Sequence, residues 1–269
     1  MDYQQIIYEK KERIAIIRTN RPRYRNAQSR LMLEEMDDAF MTAERDADIR
    51  VVILQGAGEH FSGGHDLGTP EHQADLQERP YPDGTRGHLQ MTWDLFVDCS
   101  LRWRDLKKPT IAQVQGYCIF GGYLIASVMD LIVASEDALL LPSHLQLFTA
   151  PWDLGIRKAK AILFENRFIP AAEAFELGLV HKVVPREDLE AETWAQAERI
   201  AVNDSLSLRM LKASINGAQD AMGYRTSVHA AHSNYMILTQ GGAVRRGDER
   251  RLGGVASALA KLKAQNEQH

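Results

Sequence analysis

The chain is poor in cysteine. Cys99 and Cys118 are the only two in 269 residues. Two cysteines in a chain of this size make no disulfide framework, which points to a reducing compartment, the cytoplasm. Long apolar runs are also missing. None approaches the roughly 18 residues that a membrane span needs. The first residues, Met1 to Arg13, carry Asp2, Glu9 and Glu12 without an apolar centre, which argues against a signal peptide. A strong charge of either sign is absent too. The net charge is −4 and the basic residues are scattered, so nothing resembles a nucleic-acid footprint. The one basic cluster, Arg245-Arg246 with Arg250-Arg251, is broken by Asp248 and Glu249 and reads as a solvated helix end. No repeat or low-complexity tract is visible. What remains, 45% hydrophobic and 25% charged, is an ordinary globular composition with enough length for a substantial core.

Two glycine-rich stretches stand out against this background. They are Phe61-Ser62-Gly63-Gly64-His65-Asp66-Leu67 and Gly116-Tyr117-Cys118-Ile119-Phe120-Gly121-Gly122-Tyr123. Each follows a run rich in β-branched residues, Val51 to Leu54 and Thr110 to Val114. Continuous apolar runs of that kind read as buried strands. Glycine turns leaving two such strands can aim two backbone N–H groups at one point, which is how an oxyanion hole is made. Elsewhere, Ile14 to Thr19 reads as a strand ended by Asn20-Arg21-Pro22. Ser29 caps a helix to Arg45, with Met32, Met36, Ala39, Phe40 and Ala43 on one face. Residues 68–85, polar and carrying Pro70, Pro80, Pro82 and Gly84, read as the longest irregular stretch and a binding loop or lid. Residues 86–106 read as helix, and Leu131 to Ala134 as a strand. Helical signals dominate beyond Gly155, over 157–164, 170–177, 186–202 and 205–219. Strands alternating with helices to about residue 140 predict an α/β core with parallel strands.

Several motifs occur in one order: Asn20-Arg21-Pro22, Arg25-Asn26-Ala27, the two glycine stretches, Met129 to Ala138, Ala174 to Val180, and Val183-Val184-Pro185. The set resembles the enoyl-CoA hydratase/isomerase (crotonase) superfamily over roughly residues 5 to 215. The resemblance implies a crotonase-like (ββα)n spiral core over 1–200, carrying an acyl-CoA site. It also implies a C-terminal helical region over 201–269 used for oligomerisation, in a homotrimer or a dimer of trimers. The substrate would be an acyl-CoA thioester, with coenzyme A arriving as part of the substrate and no separate cofactor or metal. The N–H groups of His65 and Gly121 would form the oxyanion hole for the thioester carbonyl. His65, Asp66, Leu67, Gly68 and Gly121 would line the coenzyme A channel, and Arg23 and Arg25 would face its phosphates, which suit guanidinium geometry.

The acid/base groups depart from the family. Its hydratases use two glutamates, the first three residues after the oxyanion glycine. Here that position is Leu124, which cannot transfer a proton. The second lies in a Pro-Glu pair soon after Ala138. Counted forward, Pro142-Ser143-His144 puts His144 in its place. Counted back from Gly155, about nine residues of the usual loop are missing and no carboxylate aligns. His144 could act as acid or base, oriented by Asp153. Superfamily members that cleave β-diketones have a His and an Asp at similar spacing. Glu71, His72 and His88 are further candidates. Tyr117, Phe120, Tyr123 and Trp152 are expected around an acyl pocket. Three readings follow: a hydratase or isomerase with divergent acid/base residues, a hydrolase of a β-dicarbonyl or thioester using His144, and a CoA-ester binder without chemistry.

Overall fold

The computed structural model of the chain describes residues 2–142, 145–240 and 255–266. The strands are β1 (Ile6–Lys11), β2 (Ile14–Thr19), β3 (Val51–Gly56), β4 (Thr110–Val114), β5 (Tyr117–Ile119), β6 (Leu131–Ser135), β7 (Leu139–Leu141), β8 (Ile169–Pro170) and β9 (Lys182–Val184). They form two sheets, ordered β1-β2-β3-β4-β6-β9 and β5-β7-β8. In the larger sheet every neighbour from β2 onward is parallel. Only β1 runs antiparallel, with Ile6 opposite Thr19.

Both faces of the larger sheet are covered, as continuous apolar strands require. Ile17, Leu54, Ala112 and Ile132 face one core with Met36, Phe40 and Trp103. Ile16, Val51, Ile53, Ile111 and Val133 face the other. The helices are α1 (Arg30–Arg45), α2 (Pro70–Glu78), α3 (Gly84–Thr92), α4 (Cys99–Arg104), α5 (Gly121–Ser127), α6 (Ala150–Leu154), α7 (Ile156–Glu165), α8 (Ala171–Glu176), α9 (Leu189–Ala201), α10 (Ser205–Ala221), α11 (Tyr224–Gln240) and α12 (Val255–Asn266). The Ser29 hydroxyl accepts the Met32 N–H at 3.1 Å at the head of α1, and all five residues of its apolar face are fully buried. Cys118 is a buried core residue with its thiol pushed up by burial.

One expectation fails. Residues 68–85 are not an irregular lid but α2 followed by the start of α3. Thr69 caps α2 by accepting the His72 N–H, and Pro70 sits in the first turn, where its missing donor costs nothing. Pro80 and Pro82 only separate the two helices. The helix expected over 86–106 begins at Gly84 and passes through a widened π segment, Trp93–Asp98, before α4.

Candidate active site

The first glycine stretch is pinned by buried polar residues upstream. The Arg21 guanidinium donates to the Asp66 carboxylate at 2.7 Å, to the Ala27 carbonyl at 2.6 Å and to the Thr69 hydroxyl at 2.8 Å. Asp66 also accepts the amides of Gly68 and Thr69 and the Thr69 hydroxyl. Burial alone would raise the Asp66 pKa, but these donors outweigh it and hold the carboxyl at about 2. Asn26 carries its own share. Its side chain accepts the Arg21 N–H and donates to the carbonyls of Ala57 and His60. The motif residues Arg21, Asn26 and Asp66 are thus a scaffold for the residue between them and the second loop, His65.

The two glycine stretches meet. Ser62 pairs with the segment around Cys118 through Ser62 N–H to Tyr117 O at 2.9 Å and Ile119 N–H to Ser62 O at 3.0 Å. A Cβ placed on Gly64, which has φ +100°, would lie 3.0 Å from the Ile119 carbonyl oxygen and 3.6 Å from the Gly121 nitrogen. Among the described residues, the N–H groups of His65 and Gly121 donate to no acceptor, although the neighbouring Asp66 N–H and Gly64 carbonyl both bond to Gln28. Gly121 is the first residue of α5, so its N–H has no partner within the helix and carries the positive end of the helix dipole. Phe120, just before it, has φ +44° and ψ −99°, a strained conformation for a residue with a Cβ. The strain falls where the backbone turns to present the Gly121 amide.

A cavity of about 530 Å³ opens beside His65, while Gly121 lies behind Gln28 and the His65 ring and is not among the lining residues. Its apolar wall includes Leu33, Leu76, Met91, Leu95 and Phe96, and its polar groups include Gln28, His65, His72, His88, Gln146 and Tyr235. The His65 ring stacks on Phe96 at 3.8 Å between centroids. Phe96 lies in the π segment, and such bulges recur at functional sites. His65 Nε2 bonds Gln146 Oε1 at 2.9 Å, so Nε2 carries the proton and Nδ1 the lone pair. Nδ1 is buried without a partner, as is Gln28 Oε1. Burial pulls the His65 pKa down to about 4, only partly offset by Gln146, so the imidazole is neutral. His88 is also pushed down by burial.

The structure separates the other sequence candidates. Leu124 is buried in the main core and brings no proton-transfer group to the amides. Asp153 is turned away from the cavity. Its Oδ2 accepts the Tyr123 hydroxyl at 2.9 Å, and burial raises its pKa to about 6. His144 lies outside the described residues. Arg23 and Arg25 are exposed after β2 and form no ion pair among the described residues; the Arg23 guanidinium lies over the Tyr24 ring at 5.3 Å and that of Arg25 over the Tyr117 ring at 5.9 Å. Leu67 is 94% exposed and Gly68 is exposed beside it. Glu71 is exposed and accepts the Tyr24 hydroxyl at 3.3 Å. The expected aromatic pocket is a correction: Tyr117, Phe120, Tyr123 and Trp152 do not line the cavity. Tyr123 is core, Trp152 packs edge-on against Tyr224, and Tyr117 packs against His60. Sequence reading missed Gln28, Phe96, Gln146 and Tyr235. Phe96 falls within the helix expected over 86–106 without a pattern that marks it as lining a site, and the other three carry no local pattern.

Comparison with known proteins follows the same lines. The family model described as enoyl-CoA hydratase/isomerase matches residues 9–250. A Mycobacterium tuberculosis protein named as an enoyl-CoA hydratase, EchA13, is 38% identical over 251 residues, covering 84% of this chain and 78% of that one. The crystal structure of an enoyl-CoA hydratase/isomerase from Xanthobacter autotrophicus Py2 superposes with a TM-score of 0.82 at 31% identity, over 98% of this chain and 99% of that one. A probable enoyl-CoA hydratase from Mycobacterium smegmatis gives 0.78 at 37% identity, over 86% and 93%.

Proposed function

Because the chain belongs to the enoyl-CoA hydratase/isomerase family, we propose that it processes an acyl-CoA thioester by holding the thioester carbonyl between the N–H groups of His65 and Gly121. The observation that carries this reading is the pair of unused amides on two loops packed against each other, one of them belonging to His65, which lines a cavity of ligand size. Two donors fixed at one point stabilise negative charge as it develops on the carbonyl oxygen. The α-carbon becomes acidic and the β-carbon electrophilic, and an enolate comes within reach. Arg23 and Arg25 would meet the coenzyme A phosphates at the mouth.

Proton transfer in this chain falls to an imidazole rather than a carboxylate. Leu124 and Asp153 are excluded by their surroundings, and Asp66 is consumed by Arg21, Thr69 and Gly68. His65, His72 and His88 line the cavity. A neutral imidazole accepts a proton without first having to lose one. We place the protein with hydratases and isomerases in the broad sense, in the cytoplasm, as a homo-oligomer with the C-terminal helices at the contact. Among the described residues no helix is long and apolar enough to cross a membrane.

The test is turnover of crotonyl-CoA, followed by loss of the conjugated enone absorbance at high protein concentration, beside calorimetric titration of the same thioester. Saturable binding with turnover supports the reading. Absence of any saturable thioester binding sinks it. Binding without turnover would select the second reading that Leu124 favours, a thioester binder without hydratase chemistry.

A further inference from the structure

The polar side of the cavity is a continuous chain leading away from the two amides. His65 Nε2 meets Gln146 Oε1 at 2.9 Å, and Gln146 Nε2 donates to the Tyr235 hydroxyl at 3.2 Å. The Tyr235 ring stacks against His88 at 5.7 Å, and His88 Nε2 is 3.2 Å from the Thr239 hydroxyl. The chain crosses four separate parts of the sequence, the first glycine stretch, the segment after β7, α3 and α11. A plain hydrocarbon pocket has no use for it, since each buried polar group costs free energy unless paired.

The bonding leaves one donor over. Gln146 occupies a lone pair of the Tyr235 oxygen, and the phenolic O–H has no acceptor among the described residues. Burial keeps this phenol protonated by raising its pKa. Deeper in, Gln28 Oε1 and His65 Nδ1 are buried acceptors without partners, and His72 Nδ1 is likewise unpaired.

Among the described residues that line the cavity, no lysine or unpaired arginine is present. The guanidinium among them, Arg30, is taken by the Asp75 carboxylate at 2.6 Å and by the carbonyls of Asp75 and Arg79. The imidazoles of His65 and His88 are held neutral by burial. A carboxylate entering here would lose its hydration with nothing to replace it. A neutral hydroxyl or ketone would find the Tyr235 O–H.

We propose that this cavity selects acyl thioesters whose acyl chain bears a neutral hydrogen-bonding group, a hydroxyl or ketone, beyond the reacting carbons, with Tyr235 as the specificity-determining donor and Gln146 as the residue that positions it. The proposal rests on the acyl-thioester reading above and names its substrate class.

The experiment titrates the full chain with three series of trans-2-enoyl-CoA thioesters, each at short, medium and long chain length. One series is unsubstituted, one has a terminal hydroxyl, and one has a terminal carboxylate. At the chain length that reaches Tyr235, the hydroxyl thioester should bind about two- to twelvefold tighter than its unsubstituted counterpart, the range of one net hydrogen bond. The carboxylate thioester should bind more weakly than either. Tyr235→Phe, which keeps the ring and its stacking on His88, should erase the hydroxyl preference, read as the ratio of the two affinities within that variant. Gln146→Leu should reduce the preference while retaining part of it. The proposal is overturned if no chain length shows a hydroxyl preference, if the carboxylate series binds best, or if Tyr235→Phe leaves the preference intact. In those outcomes the unsubstituted thioester still binds, so the acyl-thioester reading survives. Failure of all three series to bind would overturn that reading, and this one with it.

Discussion

Gly121 presents an unused N–H and, lacking a Cβ, leaves room for what packs on it. A Cβ there would lie 2.5 Å from Gln28 Oε1 and 2.7 Å from His65 Cε1. Gly121→Ala must therefore displace the Gln28 amide and the His65 ring or move the Gly121 backbone itself. We expect a fall in kcat of about 10²–10³, the usual cost of one oxyanion donor, with a smaller change in KM. His65→Ala is the contrasting variant, because it keeps the backbone N–H. Thioester affinity should stay within about threefold in calorimetry, since the carbonyl donor is retained. If His65→Ala abolished binding, the imidazole and not the amide would be the binding group.

Asp153 and Asp66 show how opposite environments act on one residue type. Asp66 is held at about 2, below the usual 3.8. Its stabilising contribution is present above 3.8 and is lost as pH falls through 3.8 toward 2. Asp153 is raised from 3.8 to about 6. Between those values the folded chain holds a proton that the unfolded chain has released, so this residue's effect on stability worsens as pH rises from 4 to 6. Asn cannot ionise and can still accept the Tyr123 hydroxyl. Asp153→Asn should therefore gain on the order of 1–3 kcal/mol relative to the parent at pH 7, and little at pH 4. Urea unfolding of both proteins at the two pH values reads this directly. A gain of equal size at both would contradict the assignment.

At the scale of elements, α2 and the π segment carry the cavity. Thr69 heads α2, and its hydroxyl is also bonded to Asp66 and Arg21. Thr69→Ala removes the cap and two buried partners together. A loss of about 1–2 kcal/mol is expected, with weaker protection of α2 amides in hydrogen exchange. Unchanged exchange over Pro70–Glu78 would show that the cap is not what fixes the helix. These elements also mark how far the sequence could be read. Strands β2, β3, β4 and β6, the α1 face and the two glycine loops were legible because their signals are local: β-branched runs, an apolar stripe, a capping serine and Gly beside Gly; the charged β1 and the two- and three-residue strands β5, β7, β8 and β9 carry no such signal. Residues 68–85 were misread because prolines at a helix start and between helices look the same, as a composition, as prolines in a loop. The cavity wall was illegible for another reason. Gln28, Phe96, Gln146 and Tyr235 come together only through the packing of four distant segments, and no spacing in the chain records that. Leu124 is an apolar side chain packed among apolar neighbours in the core.

At the scale of the whole molecule, α10 is the least settled surface. It is tied down by Lys212, which bonds Asp130 at 2.7 Å and the Lys108 carbonyl at 3.0 Å, and by Asn216 against Arg104. Leu206, Met210, Leu211 and Ile215 meanwhile stand exposed on the same helix. So many large apolar side chains on one exposed helix mark a surface that a partner covers. The homo-oligomer proposed here would cover it with further copies of the chain. Sedimentation equilibrium should give a multiple of the 30.3 kDa chain mass. Met210→Glu with Ile215→Glu should lower that mass, while a monomer in both proteins would contradict the assignment of this surface.

The central claim concerns one bond, the thioester carbonyl, and can be read on it. Isotope-edited infrared difference spectroscopy would follow the stretch of a ¹³C-labelled enoyl-CoA carbonyl, free and bound. If the N–H groups of His65 and Gly121 both donate to it, the band moves to lower frequency on binding and moves back in Gly121→Ala. A bound thioester whose carbonyl band stays where it lies in water would contradict the account.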